Sequence, residues 1–347
     1  MVRKWHDGPH SRIHSAVLHR RRRRSSIPAP ALSLAPGTIT HGLKHLSPLF
    51  EAVYRRLIGQ VLTANLWQAD ETRWSVFVPL EGKKGHRWQM WVLRTDDVVV
   101  YFLEPSRSAE VIKRILGSVP GGILVVDRYV AYKCLAEACP IVLAFCWFHA
   151  RNDFVRAAIA FPELEAWCDS WVTQIGKMFE INDRRVAALG DDVKFAACQA
   201  ELEKHVLEIA ERRDRELAGE LTTRQRKVLE SLGRHWKGLT VFLEHPEVPP
   251  TNNASEQAMR FVALARKVFY GSGSIWSGKL ASYLFSIFQT LIACNINPRT
   301  WLLEFLWACA AAGGVPADLD PFLPWTMDAE TRERMGRPPT PRVENTS

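Results

Sequence analysis

Three carboxylates lie where a metal-dependent reaction on a phosphodiester would need them. Asp127 directly follows the apolar run 123–126, which is typical of a buried β-strand. Asp70 lies among apolar residues where the first predicted strand begins, and Glu256 lies near the start of a predicted helix. Phosphoryl transfer by two metal ions needs carboxylates that converge from different elements and hold hard cations about 4 Å apart. The three residues are therefore candidate metal ligands.

Each carboxylate also has a purely structural interpretation. An Asp after a strand accepts backbone N–H bonds and starts a turn or a helix, which would explain Asp127 without a cation. Asp70 could be an exposed strand-end residue paired with Arg73. With Asn253 as N-cap, Glu256 would be the reciprocal glutamate of a capping box. Spacing alone leaves these alternatives open, and for Glu256 it favours the cap.

Basic residues follow Glu256 on the same predicted helix. Arg260 and Lys267 stand four and eleven positions after it, so the three side chains share one helix face. A phosphodiester held at a metal beside Glu256 would meet these bases. Arg260, Lys267 and the neighbouring Arg266 are therefore predicted DNA contacts.

The elements that position these residues follow from the hydrophobic pattern. Helical spacing of apolar residues predicts a helix from about 41 to 62. Three strands with tight connections follow, in the stretches WSVFVPL, HRWQMWVLRT and VVVYFLEP. Helices then alternate with strands as far as a helix from about 147 to 159. Three antiparallel strands followed by this alternation predict an α/β fold with a mixed sheet covered by helices.

Changes in composition divide the chain into six predicted segments. Strand signals vanish after about 166, and a charged, entirely helical stretch follows before the helix of Glu256. The predicted segments are a disordered basic arm (1–40), a lead-in helix (41–65), the first part of the core (66–166), a helical insertion (167–248), the final helices of the core (249–312) and a C-terminal extension (313–347).

The basic charge belongs to the start of the chain. The first 50 residues carry nine Lys or Arg and one acid, which accounts for the whole net charge of +8. An Arg run mixed with Pro and Ser predicts a disordered arm. Such an arm could hold DNA by counterion release, act as a transit peptide, or have no role. Phosphate binding by the remaining, formally neutral body would need local clusters.

Cysteine usage and hydropathy point to a cytoplasmic protein. The seven cysteines, an odd number in apolar contexts, do not resemble a disulfide framework. No run of 18 or more apolar residues occurs, so we expect no membrane partner. Cys146 and His149 have metal-like spacing, but a zinc site needs further ligands at suitable spacing.

Several long motifs resemble the insertion-sequence-sixty-six type of bacterial transposase, a branch of the DDE enzymes. The resemblance extends from about Pro36 to Trp325. The matching stretches are ADETRW, VVDRYVAY, FCWFHARNDF, HWKGLTVF, PPTNNASEQAMR, ARKVFYGSGS, FSIFQTLIACNINPRTWL and FLPW. The resemblance implies an RNase-H-like fold in which Asp70, Asp127 and Glu256 are the catalytic triad. It also implies two bound Mg²⁺ ions, for which Mn²⁺ can substitute.

The resemblance further implies DNA cleavage and strand transfer at insertion-sequence ends. The expected partners are transposon-end and target DNA, further copies of the chain on that DNA, and accessory proteins of the same element. The expected location is the cytoplasm, in association with the nucleoid, and His149 and Arg151 are predicted to approach the DNA. Two alternatives remain open: an inactive transposase remnant with residual DNA binding, and an RNase-H-like nuclease directed by nucleic-acid structure.

Three residues depart from the pattern of the resembling family. That pattern has Asp where Thr251 stands, Arg where Gln257 stands, and usually Arg where Asn152 stands. Each departure removes a charge near the predicted triad. The upstream portion usual in such proteins, which carries DNA-recognition elements, is not resembled by residues 1 to about 35. A truncated or decaying copy is therefore an expectation beside that of an active enzyme.

Overall fold

The computed structural model describes residues 35–79, 81–82 and 85–336. The predicted disordered arm lies outside the described residues up to residue 34, as does the predicted C-terminal extension from residue 337. Residues 35–43 belong to one unit, and residues 44–336 to a second unit that contains the sheet.

Five strands form one mixed sheet with the order β3-β2-β1-β4-β5. The first three strands pair antiparallel, whereas β4 and β5 run parallel to β1. This arrangement confirms the predicted α/β class and the mixed sheet. The strands are β1 (Leu66–Ser75), β2 (Arg87–Arg94), β3 (Val99–Glu104), β4 (Gly122–Val126) and β5 (Ile141–Phe145).

Helices cover the sheet and form the region between its last strand and the helix that carries Glu256. All regular elements between residues 162 and 244 are helical, as predicted, although the description of this stretch as an insertion stays a prediction. The helices are α1 (Pro36–Val61), α2 (Ala109–Leu116), α3 (Val130–Ala138), α4 (Trp147–Ala160), α5 (Glu165–Ala187), α6 (Asp192–Leu217), α7 (Thr223–Arg234), α8 (Trp236–Leu239), α9 (Val241–Glu244), α10 (Asn253–Phe269), α11 (Ile275–Ala293), α12 (Pro298–Ala312) and α13 (Ala329–Gly336), with 3₁₀ turns at Pro162–Leu164 and Asp320–Phe322.

Two predicted boundaries differ from the structure. Helix α1 begins at Pro36 rather than at 41 and ends at Val61, so residues 36–40 of the predicted arm are helical. Strand β1 begins at Leu66, well before the predicted start at Trp74. The start of this strand is hard to recognise in the sequence because one of its faces is polar. Trp67 and Ala69 are fully buried, whereas Gln68, Asp70 and Thr72, which alternate with them, lie on the polar face. Asp70 therefore lies within the strand and not at its start.

The core consists of three buried clusters around the sheet. One face packs against α1, α2, α3 and α11 through residues such as Trp67 and Leu124. The other face packs against α4 and the helices that follow it through Val125 and Ala144, and against α10 through Trp74. Burying each large apolar side chain stabilises the fold by about 1.5–3 kcal/mol. Asp70, Asp127 and Glu256 are therefore held on a scaffold of packed elements.

Over the residues that the structure describes, no helix has both the length and the apolar character needed to cross a bilayer.

Candidate active site

The register of the sheet places Asp70 and Asp127 at the same level of neighbouring strands. The parallel ladder pairs Leu66 with Ile123 and Gln68 with Val125. Continuing the ladder by two residues on each strand brings Asp70 beside Asp127. Aligned residues of parallel neighbours project from the same face of a sheet. The end of β4 therefore sets Asp127 next to the middle of β1.

Asp127 combines a structural role with its place beside Asp70. Its Oδ1 atom accepts a hydrogen bond from the Tyr129 backbone N–H at 2.8 Å, just before α3 begins at Val130. The structural interpretation of Asp127 is thus correct in that its carboxylate accepts a backbone N–H in the turn before α3. The residue nevertheless also lines the cavity that contains Asp70.

Glu256 does not belong to a capping box. The N-cap of α10 is Asn252 rather than the predicted Asn253, and no side-chain hydrogen bond caps the helix. Glu256 is therefore the fourth helical residue, and its N–H donates to the Asn252 carbonyl oxygen at 3.1 Å. The capping interpretation is wrong because the helix begins one residue earlier than predicted and the Asn252 N–H donates to Cys146 Sγ. The Glu256 carboxylate lines the cavity instead.

The three carboxylates line one open cavity of about 440 Å³. Its lining residues are Asp70, Asp127, Phe148, His149, Asn152, Asn252, Asn253, Glu256, Gln257 and Arg260. Hard carboxylate oxygens are the ligands that Mg²⁺ and Mn²⁺ prefer. The donor set of this cavity therefore fits the cations that the resemblance implies.

The cavity concentrates negative charge around Asp70. The pKa of Asp70 is raised to about 7 from an ordinary 3.8, mainly by burial and additionally by the charges of Glu71, Asp127 and Glu256. A hydrogen bond from the Glu71 N–H to Asp70 Oδ1, at 2.8 Å, opposes this rise. A bound cation would relieve the repulsion, because an opposite charge nearby favours the ionised carboxylate.

A second donor set shares Glu256. Ligand atoms of Cys146, His149 and Glu256 lie within 4.8 Å of one another, and His149 Nδ1 is 4.0 Å from Glu256 Oε1. Among the described residues this buried nitrogen has no hydrogen-bond partner. Glu256 on α10 is thus a third candidate ligand beside Cys146 and His149, which sequence spacing did not supply. A Cys–His–Glu set suits zinc better than magnesium.

Asn252 holds the elements of the site together. Its side-chain Nδ2 donates to the Ala69 carbonyl oxygen at 2.8 Å, directly before Asp70. Its backbone N–H donates to Cys146 Sγ at 3.2 Å, directly before α4. Since Asn252 is only 1% exposed, both bonds are shielded from water. Asn252 was not predicted from the sequence, in which the Asn pair before Glu256 is the available signal.

Arg128 fixes the loop of Asp127 to the helical side of the molecule. Its guanidinium forms an ion pair with Asp153 at 2.8 Å and donates to the His149 carbonyl oxygen at 3.0 Å. It also donates to Ser231 Oγ on α7 at 3.0 Å. Such an arrangement of charge-assisted bonds is stronger than bonds between neutral groups. Arg128 is a second positioning residue that was not predicted from the sequence.

The predicted DNA contacts separate into two groups. Arg260 and His149 line the carboxylate cavity, whereas Arg151 and Lys267 are not among its lining residues. Arg266 lines a different cleft, where its Nη1 atom donates to the Arg73 carbonyl oxygen and, at 3.4 Å, to Thr72 Oγ1. Their roles as DNA contacts stay predictions.

The three departures from the family pattern also lie in different places. Asn152 and Gln257 line the carboxylate cavity. Thr251 lines a neighbouring cavity that shares Phe148 and Asn253 with it. The departures at Asn152 and Gln257 therefore remove positive charge from the lining of the carboxylate cavity. The departure at Thr251 removes a negative charge from the neighbouring cavity.

Replacing Asn252 by Ala is expected to lower the free energy of unfolding by about 1–3 kcal/mol, because the buried Ala69 carbonyl loses its partner. Denaturant unfolding monitored by tryptophan fluorescence measures this change. The exposed neighbour Asn253 provides the control, since Asn253→Ala should change stability by less than about 0.5 kcal/mol. Equal effects of the two substitutions would contradict the anchoring role of Asn252.

The chain is an α/β protein in which carboxylates from β1, from the end of β4 and from α10 line one cavity. The family model described as "Transposase IS66 family" matches residues 17–280 of this chain. The chain therefore belongs to the IS66 family of transposases, which confirms the resemblance seen in the sequence motifs.

Two curated relatives come from Sinorhizobium fredii (strain NBRC 101917 / NGR234). The uncharacterized protein y4jD is 28% identical over 296 residues, which cover 80% of this chain and 57% of the relative. The uncharacterized protein y4hP is 25% identical over 326 residues, covering 85% of this chain and 56% of the relative. The chain thus spans a little over half the length of the curated relatives it matches.

Proposed function

We propose that this chain is the catalytic part of a DDE transposase with an RNase-H-like core. It cleaves a phosphodiester at an insertion-sequence end and joins the freed 3′ hydroxyl to target DNA. The observation that carries the proposal is the common cavity of Asp70, Asp127 and Glu256, which come from β1, the end of β4 and α10. Membership of the IS66 transposase family supports the same reaction.

Asp70, Asp127 and Glu256 would hold two Mg²⁺ ions, for which Mn²⁺ can substitute. When bound, such ions stabilise the attacking and leaving oxygens of an in-line displacement. Arg260 lies one helical turn after Glu256 and lines the same cavity, where its guanidinium can neutralise a phosphate oxygen. Asn252 and Arg128 keep the elements in register, so that the carboxylates are in place before DNA binds.

The proposed partners follow from the proposed reaction. They are transposon-end and target DNA, at least one further copy of the chain on that DNA, and accessory proteins encoded by the same element. The proposed place of action is the cytoplasm, at the nucleoid, where the DNA substrates are found.

A nicking assay tests the proposed reaction. A labelled duplex made from the DNA that flanks the coding sequence is incubated with the full chain and Mg²⁺, and strand breaks are mapped on a denaturing gel. We expect a break at one defined phosphodiester, which chelation of the metal abolishes. Absence of any metal-dependent break would reject the proposed reaction for this chain.

The second candidate function is that of an inactive remnant with residual DNA binding. The observation that favours it is the pair of uncharged residues, Asn152 and Gln257, that line the cavity where the family pattern carries Arg. If these two positions limit the reaction, the cavity still binds cations but holds the phosphate weakly.

Restoring both charges, by Asn152→Arg with Gln257→Arg, is expected to raise Mg²⁺-dependent cleavage about tenfold. Each added charge-assisted bond to a phosphate contributes about 1.5–3 kcal/mol at best. In an open cavity, where water competes for the phosphate, only part of this free energy is gained. Both positions are exposed, so the melting temperature should stay nearly unchanged. Thr251→Asp, outside the cavity lining, should change cleavage less.

The same variants separate the two functions. If the double variant folds normally and cleavage stays at background in both proteins, the chain is a remnant. Unfolding of the double variant would instead show that Asn152 and Gln257 have a structural role.

A further inference from the structure

A second cleft lies beside the carboxylate cavity and is rich in arginine. It has a volume of about 460 Å³, and its lining includes Arg73, Arg87, Arg107 and Arg266. The acidic residue of its lining is Glu71. We name it the arginine cleft. Its lining therefore holds four guanidinium groups and one carboxylate.

The arginine cleft lies at an open edge of β1. Strand β4 pairs with β1 at residues 66–68, whereas β2 pairs with it as far as Ser75. Arg87 is the ladder partner of Ser75, so Arg73 and Arg87 project from one face of the sheet. Arg266 reaches the same cleft from α10, on the other face, and donates to the Arg73 carbonyl oxygen. The cleft therefore straddles the edge of β1 where β1 and β4 part.

Most of the positive charge of the arginine cleft is uncompensated. The Glu71 side chain is only 2% exposed and accepts bonds from Arg107 Nε at 2.8 Å and from the Tyr132 hydroxyl at 2.7 Å. This pair offsets the charge of Arg107. Within the described part of the chain, Arg73, Arg87 and Arg266 form no ion pair. Three like charges gathered at one edge favour a polyanionic partner.

The spacing from the carboxylate cavity matches a few nucleotides of DNA. Arg73 is three strand residues from Asp70, or about 10 Å along β1, with its side chain on the opposite face of the sheet, and Arg266 is ten helical residues from Glu256, or about 15 Å. Along the helix axis of a duplex, the phosphates of one strand are spaced about 3.4 Å apart. A strand with its reacting phosphate in the carboxylate cavity would place the phosphates about three or four nucleotides away at the arginine cleft.

We propose that the arginine cleft binds the phosphodiester backbone of the reacting DNA strand, about three or four nucleotides to one side of the phosphate that is cut. The inference rests on the proposed function, because it takes the carboxylate cavity as the place of cleavage. The cleft contributes affinity and register and takes no part in bond breaking. Backbone contacts of this kind carry no sequence information, but they position the strand.

The test compares the full chain with its Arg73→Gln, Arg87→Gln double variant. Binding to the labelled end duplex is measured by fluorescence anisotropy without divalent metal, over a range of salt concentrations. Loss of two phosphate contacts should make the slope of log affinity against log salt less steep by about 1.8, and should weaken binding about tenfold at 0.1 M salt. Replacement of the same residues by Lys should retain the wild-type slope.

Arg215 and Arg299 provide the matched control. Both are exposed and form no ion pair among the described residues, and neither lines the arginine cleft. Their double Gln variant should bind as the wild type does. Equal slopes for the two double variants would overturn the proposal, even if the wild-type chain binds and cleaves DNA. A wild-type chain that does not bind DNA would reject the proposed function as well.

Shortened duplexes identify the side of the cut on which the arginine cleft acts. The duplex is trimmed to two nucleotides on the element side or on the flanking side of the cut. We expect the difference between wild type and the Arg73→Gln, Arg87→Gln variant to vanish for one of these substrates and to persist for the other. A difference that persists for both would contradict the assigned distance from the cavity.

Discussion

Replacing Asp127 by Asn is expected to reduce Mg²⁺-dependent cleavage of end DNA by at least about a thousandfold, or about 4 kcal/mol of transition-state stabilisation. The substitution removes a negative charge from the carboxylate cavity. It keeps an oxygen that can accept the Tyr129 N–H, so α3 should still begin at Val130. Glu256→Gln should have an effect of similar size, because Glu256 caps nothing. A gel assay of nicked product under saturating Mg²⁺ measures both.

Asp318 provides a matched control for Asp127. Its Oδ1 atom also accepts a backbone N–H two residues later, from Asp320 at 2.9 Å, but the residue is exposed and does not line the carboxylate cavity. Asp318→Asn should therefore cleave as the wild type does. If Asp127→Asn kept more than about a tenth of wild-type cleavage, its carboxylate would be a turn former and no more.

Replacing Asp70 by Asn is expected to stabilise the metal-free protein while abolishing cleavage. Folding raises the pKa of this carboxyl from 3.8 to about 7, so the folded protein binds the proton more tightly than the unfolded chain. Stability is therefore lost as the pH rises from about 4 through 7. At pH 8 the folded protein carries the full cost of the ionised group, which this shift puts at up to about 4 kcal/mol. A neutral Asn removes that cost.

Denaturant unfolding in the presence of a chelator measures the effect of Asp70→Asn. We expect the variant to be about 1–3 kcal/mol more stable than the wild type at pH 8, within the limit set by the pKa shift. The advantage should shrink as the pH falls towards 4 and vanish below about pH 3, where the wild-type carboxyl is protonated in both states. Saturating Mg²⁺ should stabilise the wild type more than the variant, by mass action on the folded state. A variant less stable than the wild type at pH 8 would show that burial of Asp70 carries no such cost.

The strand end of Asp127 could be predicted from the sequence, because four apolar residues before a carboxylate are a local signal. The alignment of Asp70 with Asp127 could not, because the polar face of β1 hid the start of that strand. The register of a sheet is set by pairing between segments that are distant in sequence. An error in one strand boundary is enough to make the register unpredictable. Local periodicity thus predicted the order of elements well and the position of Asp70 within its strand poorly.

Glu256 shows where local rules misled. Its position after two asparagines fits a capping box, yet the structure uses Asn252 as N-cap and turns its side chain towards Ala69. That contact joins residues far apart in sequence, so no spacing rule contains it. The motif resemblance predicted Glu256 as a site residue because a family pattern reflects such long-range contacts. Asn252 and Arg128 were missed because their roles depend on contacts with residues distant in sequence.

Strand transfer is the reaction that separates a transposase from a nuclease and from an inactive remnant. The measurement uses a pre-cut end duplex with a free 3′ hydroxyl, supercoiled target plasmid, Mg²⁺ and the full chain. We predict that the labelled end becomes covalently joined to the plasmid by the wild type, and that Asp70→Asn, Asp127→Asn and Glu256→Gln each abolish joining while Asp318→Asn does not. Joined product that persists in the three cavity variants, or cleavage without any joined product in the wild type, would contradict assignment of this cavity as the centre of a transposase.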